Sequence, residues 1–209
     1  AKSRPWVTLV DAGALTAAEV QANPRQASAR NIQFNAGEEI RQEEMGARFR
    51  VKPTAGKEIS LAAHWSHRDF QSRQPFMDGG QVQFDRWVGG LALQFTSDGL
   101  LFQRPNRFLA GIDYGMQNDD RQRFNNNFGV RGIINLNQIE RVQSIGPFFR
   151  NEWSISDKLD VVIGGRWDWL HYQIKDQYQT DGNQSGSRVV SQASGSAGMV
   201  YHLTPQHQA

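Results

Sequence analysis

The stretch IGPFFRNEWSISDKLDVVIGGRWDW, Ile145 to Trp169, decides how the rest of the chain is read. It holds two alternating segments joined by the short polar link Ser156-Asp157-Lys158. On the first, Ile145, Pro147, Phe149, Trp153 and Ile155 are apolar, with Asn151 the exception. Between them stand Ser144, Gly146, Arg150, Glu152 and Ser154, with Phe148 the exception. On the second, Leu159, Val161, Ile163, Gly165 and Trp167 alternate with Asp160, Val162, Gly164, Arg166 and Asp168. A period of two is the strand period, and so tight a link makes the pair a hairpin. The apolar face ends in Trp153 beside the turn and in Trp167 and Trp169 at the far end. Indoles sit well at a lipid–water boundary, so aromatic ends around an aliphatic middle suit a membrane strand. The opposite face carries Arg150, Glu152, Asp160, Arg166 and Asp168, too many charges for a buried core. Lipid on one side and a wet lumen on the other account for both faces.

The same residues carry a resemblance. Gly146-x-Phe148-x-Arg150-Asn151-Glu152-Trp153, then Ser156-Asp157-Lys158-Leu159, then Gly165-Arg166-Trp167-Asp168, resembles the barrel hairpin of TonB-dependent outer-membrane receptors. Arg150 stands where that pattern usually has Gln, and Trp167 where it usually has Tyr. Ser196 to Pro205 is similar to the family's next strand and its exit turn. The resemblance is specific over 145–205 and only compatible before it. It implies an all-β, antiparallel up-and-down transmembrane barrel of about 22 strands around a plug. It implies uptake of a scarce nutrient such as a ferric siderophore, an iron chelate, energised through TonB, in the outer membrane of a Gram-negative bacterium. Outer-membrane lipid, the chelate and the TonB complex are the partners so implied. Lacking a leader, a plug and a closing aromatic strand, the 209 residues are expected to be an internal piece of the barrel.

Composition is consistent with this. Zero Cys excludes a disulfide framework and a Cys-ligated metal. A net charge of +2 gives no bulk-charge case for nucleic acid. The mean hydropathy of -0.61 looks soluble, but a barrel strand needs apolar residues only at alternate positions. No run approaches the roughly 20 apolar residues of a membrane helix.

Along the chain, residues 1–29 read as an outer loop with one short helix at 15–22, capped by Thr16 and stopped by Asn23-Pro24. About seven long strands then fill 30–203. The first is polar to Glu44 and turns apolar at Met45, Ala47, Phe49 and Val51. Its neighbour carries Ile59, Leu61, Ala63 and Trp65 on one face. Later apolar sets are Trp87, Leu91, Leu93 and Phe95, then Phe108, Ala110, Ile112, Tyr114 and Met116. The connections alternate short and long. Outer-membrane barrels have short periplasmic turns and long external loops. Residues 53–57, 97–106, 156–158 and 204–207, with the end of the chain to 209, are therefore assigned to the periplasmic side. Residues 1–29, 69–82, 117–137 and 171–188 are assigned outside.

Arg48, Arg50, Glu58, His64, Arg86, Asp113, Arg150, Glu152, Asp160, Arg166 and Asp168 are expected to face the lumen, most of them in cross-strand ion pairs. The candidate ligand residues are outer-loop arginines and aromatics: Arg68, Phe70, Arg73, Phe76, Arg121, Arg123, Phe124, Tyr172 and Tyr178. Charge plus stacking suits an anionic iron chelate. No cofactor, metal site or catalytic group is expected. His64 and His67, three apart on a strand, point to opposite faces and cannot share a metal. Asp119, Asp120, Asp176 and Asp181 lack the spacing of a calcium loop. Two rivals stay open: a passive porin-like channel, and a soluble glycan-binding β-sandwich whose core would take the aromatics.

Overall fold

A computed structural model describes residues 7–204 and 207–208. Strand β1 spans Val7–Val10, followed by helices α1 (Ala17–Ala22) and α2 (Ala29–Gln33). Then come β2 (Gly37–Thr54), β3 (Lys57–Arg73), β4 (Gln81–Leu101), β5 (Arg104–Asn127) and β6 (Val130–Ser156). The chain ends in β7 (Leu159–Asp176), β8 (Gly186–Thr204) and β9 (His207–Gln208). All nine strands pair with their sequence neighbours in one antiparallel sheet. The seven long ones, β2 to β8, form the expected up-and-down meander.

The sheet is a single layer. A compact monomer of 23.6 kDa would expose about 9,800 Å², whereas this chain exposes 14,229 Å². Among the described residues the only buried apolar side chains are Phe34 and Ala36. Apolar residues instead line up across one face. One row runs Phe49, Leu61, Leu93, Ile112, Pro147 through five consecutive strands. Leu61, Leu93, Ile112 and Ile163 stay 37–46% exposed there. A soluble sandwich would cover this face with a second sheet, and none of the described residues does so.

Small residues make this wall close up. The Phe149 ring lies over Gly165, its directly paired neighbour, and the His64 ring lies over Gly90 in the same way. A Cβ at either glycine would meet the ring.

The connections are shorter than the sequence suggests. Residues 97–106 narrow to the two-residue turn Phe102-Gln103, with φ of 52° and 63°. Positive φ at both turn residues matches the right-handed twist of the flanking strands, at a cost for non-glycine residues. Phe102 packs on Trp153 with ring centroids 5.8 Å apart, and Trp153 Nε1 donates to the Leu101 carbonyl at 3.1 Å. Ser97-Asp98-Gly99, the expected start of the 97–106 connection, lies within β4. Ala55-Gly56 and Asp157-Lys158 join their strands as expected. The turn assigned to 204–207 falls partly outside the described residues.

At the other end the corrections are larger. Residues 117–137 are not a loop. Strand β5 continues to Asn127 and β6 starts at Val130, with Phe128-Gly129 alone between them. The loops proper are 74–80 and 177–185. Residues 1–29 are not simple loop either, since β1 pairs with the start of β2. Helix α1 has the expected Thr16 cap, completed by Glu19 as a capping box. Helix α2, within the stretch read as polar strand, is capped by Ser28.

Candidate functional site

Two zones of the charged face matter. In the midsection, strand pleating puts Arg166 and Asp168 on the same face as Asp113. Arg166 bonds Asp113 and Asp168, each at 2.7 Å. Asp113 lies two strands away, opposite Gly146 on the intervening β6. A Cβ at Gly146 would collide with the Arg166 guanidinium, so the glycine is what lets Arg166 cross. Arg150 pairs with Glu152 at 2.8 Å, Arg50 with Glu58 at 3.9 Å, and Asp160 with His202 at 2.8 Å. Arg107 reaches Asp98 at 3.7 Å. Arg48 sits opposite Ala62 on the same face.

Beyond Trp65 and Trp87 the face changes character. Phe70 of β3 and Phe84 of β4 are direct cross-strand partners, their rings stacked with centroids 4.8 Å apart. Arg68 lies over the Phe70 ring at 5.6 Å and Arg86 over the Phe84 ring at 4.6 Å. Four side chains thus form one cation–aromatic ladder. Arg68 and Arg86 are themselves directly opposite, an unfavourable like-charge pair unless something neutralises it. Asp119, only 1% exposed, does so for Arg86 with a two-pronged contact of 2.9 and 2.5 Å. Arg121 pairs with Glu140 at 3.2 Å. No carboxylate lies within ion-pair distance of Arg68 or Arg123 among the described residues. The Nε–H groups of Arg68, Arg121 and Arg123 are all shielded from solvent and unpartnered.

The zone is backed by a polar hub. Asn126, fully buried, donates to the Phe34 and Gln74 carbonyls at 3.0 and 2.9 Å. Its Oδ1 accepts from Gln81 Nε2 at 3.2 Å and from the Gly129 amide at 2.8 Å. One side chain therefore ties the segment before β2, the 74–80 loop, β4 and the β5–β6 tip together.

A family model described as the TonB-dependent receptor-like β-barrel matches residues 5–209. The chain belongs to that family. Its fold is similar to the crystal structure of the ferric citrate transporter FecA in the unliganded form, with TM-score 0.72 and 12% identity over 92% of this chain and 29% of that one. It is also similar to the ferric-catecholate import receptor Fiu from E. coli K12, TM-score 0.64 and 10% identity over 81% of this chain and 34% of that one. A third likeness is to the siderophore receptor PiuA from Acinetobacter baumannii, TM-score 0.66 and 12% identity over 82% and 31% of the two chains. The chain spans about a third of the length of these three proteins.

On this receptor wall most candidate ligand residues are not on loops. Arg68, Phe70 and Arg73 belong to β3, Arg121, Arg123 and Phe124 to β5, and Tyr172 to β7; only Phe76 and Tyr178 are on loops. Arg68, Phe70, Arg121, Arg123 and Tyr172 share the charged face. Arg73 leaves the group, bonding Glu39 at 2.9 Å and the Asn35 carbonyl at 2.9 Å. Phe124 is covered by Arg131 at 4.6 Å. Phe84, Arg86 as a ladder member, and Asn126 were missed as site residues. Extending the two-residue period of β3 and β4 past the apolar band would have found Phe84 beside Phe70. Nothing local marks Asn126, whose partners are up to 92 residues away.

Proposed function

We propose that this chain is part of the wall of an outer-membrane, TonB-energised importer of an anionic nutrient complex, a ferric siderophore being the best fit. Its apolar face meets lipid and its charged face lines the lumen, with the turns at 55–56, 102–103 and 157–158 in the periplasm. The 74–80 and 177–185 loops and the β5–β6 tip then stand outside the cell. The observation that carries the ligand reading is the Phe70–Phe84 stack with Arg68 over its edge, an arginine with no carboxylate in ion-pair distance among the described residues. An anionic chelate with aromatic or planar groups offers both acceptors and a stacking surface. The names of FecA, Fiu and PiuA point to the same substrate class. The protein breaks no bonds in this reading; it binds outside and releases inside.

The test uses the full-length receptor as the only route for ferric citrate or a ferric catecholate into iron-starved cells. Arg68→Ala and Arg121→Ala should each weaken chelate binding by about 1.5–3 kcal/mol, the worth of a charged hydrogen bond, with folded barrel unchanged. Unaltered affinity in both variants would remove the ligand role. Uptake that persists without TonB would favour the passive channel.

A further inference from the structure

The opposite, apolar face carries a second cluster just past its aromatic rows. His67 and Asp69 are two residues apart on β3 and so share that face. Asp85 of β4 is directly opposite Asp69, and Trp87 directly opposite His67. His67 Nε2 lies 2.9 Å from Asp85 Oδ2 and 3.8 Å from Asp69 Oδ1. One ligand atom from each of the three lies within 4.8 Å of the others. We propose that His67, Asp69 and Asp85 form a site for a borderline divalent cation of the Zn²⁺ class on the outer wall of the barrel.

The geometry suits the ion. Ligands at about 2.0–2.2 Å around tetrahedral zinc stand roughly 3.3–3.5 Å from each other, close to the spacings already present. One imidazole nitrogen with two carboxylates is a mixed donor set, favouring zinc over the all-oxygen preference of calcium or magnesium. The imidazole is held in place: its ring stacks on Trp87 at 4.2 Å and 25°, and Trp65 in turn packs on Trp87 at 5.3 Å. The carboxylates are otherwise badly matched. Asp69 and Asp85 are paired face to face, and Asp120 follows as Asp85's partner on β5, a row of three like charges. Arg41, opposite Asp69 on β2, is bonded to Glu43 at 3.1 Å instead. A cation relieves this crowding. Three protein ligands leave a fourth position for water or, on the reading given above, for a headgroup phosphate beside the tryptophans. The metal geometry stands without that reading; only the position at the headgroup level rests on it.

An internal comparison sharpens the case. His171 of β7 also sits beside a tryptophan on this face, Trp169, at 5.8 Å. The residues opposite it are Gln143 and Val189, with no carboxylate.

The experiment is a Zn²⁺ titration of the untagged full-length receptor in detergent, followed by calorimetry, with Co²⁺ as a second probe through quenching of tryptophan fluorescence. One saturable site is expected. His67→Ala should abolish it, Asp85→Asn should weaken it tenfold or more, and His171→Ala should leave it intact. Folded barrel, read by its gel mobility without heating, should be unchanged in all three. No saturable binding, binding that survives His67→Ala, or equal binding of Ca²⁺ would each overturn the proposal. Chelate uptake is not the readout, so failure of the import reading and failure of the metal site are separate results.

Discussion

The midsection of the long strands and their loop end are built on different rules. In the midsection the two faces differ in polarity, and each residue's side is fixed by what it meets. Leu61, Leu93 and Ile112 lie along one face, while Arg50, Asp113 and Arg166 lie along the other. At the loop end both faces are polar, the apolar alternation disappears, and yet the ladder continues. Strands β5 and β6 stay paired up to Asn127 and Val130. What holds that end is a few saturated polar side chains: Asn126 at one hub, Asp119 under Arg86, and Asp176 at the 177–185 loop. Asp176 accepts from the Tyr178 and Gln184 amides, each at 2.9 Å. The lesson is that polar residues on both faces erase the sequence pattern of a strand without erasing the strand.

The comparison is most sharply broken by charge in the midsection. Leu93→Arg should destabilise the assembled barrel by about 2–4 kcal/mol, whereas Ala92→Arg should cost far less. Equal loss, read by urea unfolding in lipid vesicles, would mean that the faces are misassigned. A smaller effect is expected at the loop end. Asn126→Ala removes four side-chain hydrogen bonds and should cost about 1–3 kcal/mol of local stability. Amide exchange should quicken around Phe34, Gln74 and the β5–β6 tip and stay slow in the midsection. Uniform quickening would show that the two zones are one cooperative unit. The smallest effect belongs to the 177–185 loop. A short tag inserted after Gly182, in the exposed part of that loop, should leave folding unchanged. It should be labelled on intact cells; labelling only after the outer membrane is opened would reverse the orientation.

This division also explains what was legible in the sequence. The hairpin from Ile145 to Trp169 and the seven-strand meander follow from a two-residue apolar period. The Thr16 cap was legible because its partner, Glu19, is three residues away. The end of β5 was not legible, since the run Asn118 to Asn127 has no apolar period and resembles a loop in composition. Turns were misjudged where unusual residues take positive φ, as at Phe102 and Gln103. The cation–aromatic ladder was half visible: Arg68 and Phe70 stood out, but their placement against Phe84 and Arg86 depends on the β3–β4 register.

The account rests on one face meeting lipid and the other meeting water. The chain has no cysteine, so single cysteines can be introduced one at a time and labelled with a nitroxide in the full-length receptor in vesicles. Labels at Leu93, Ile112 and Ile163 should relax with dissolved oxygen and be shielded from a water-soluble nickel chelate. Labels at Ala92, Val162 and Ser196 should show the reverse. Alternation with that sign supports the barrel wall described here. The same accessibility at both sets, or the opposite sign, would contradict it.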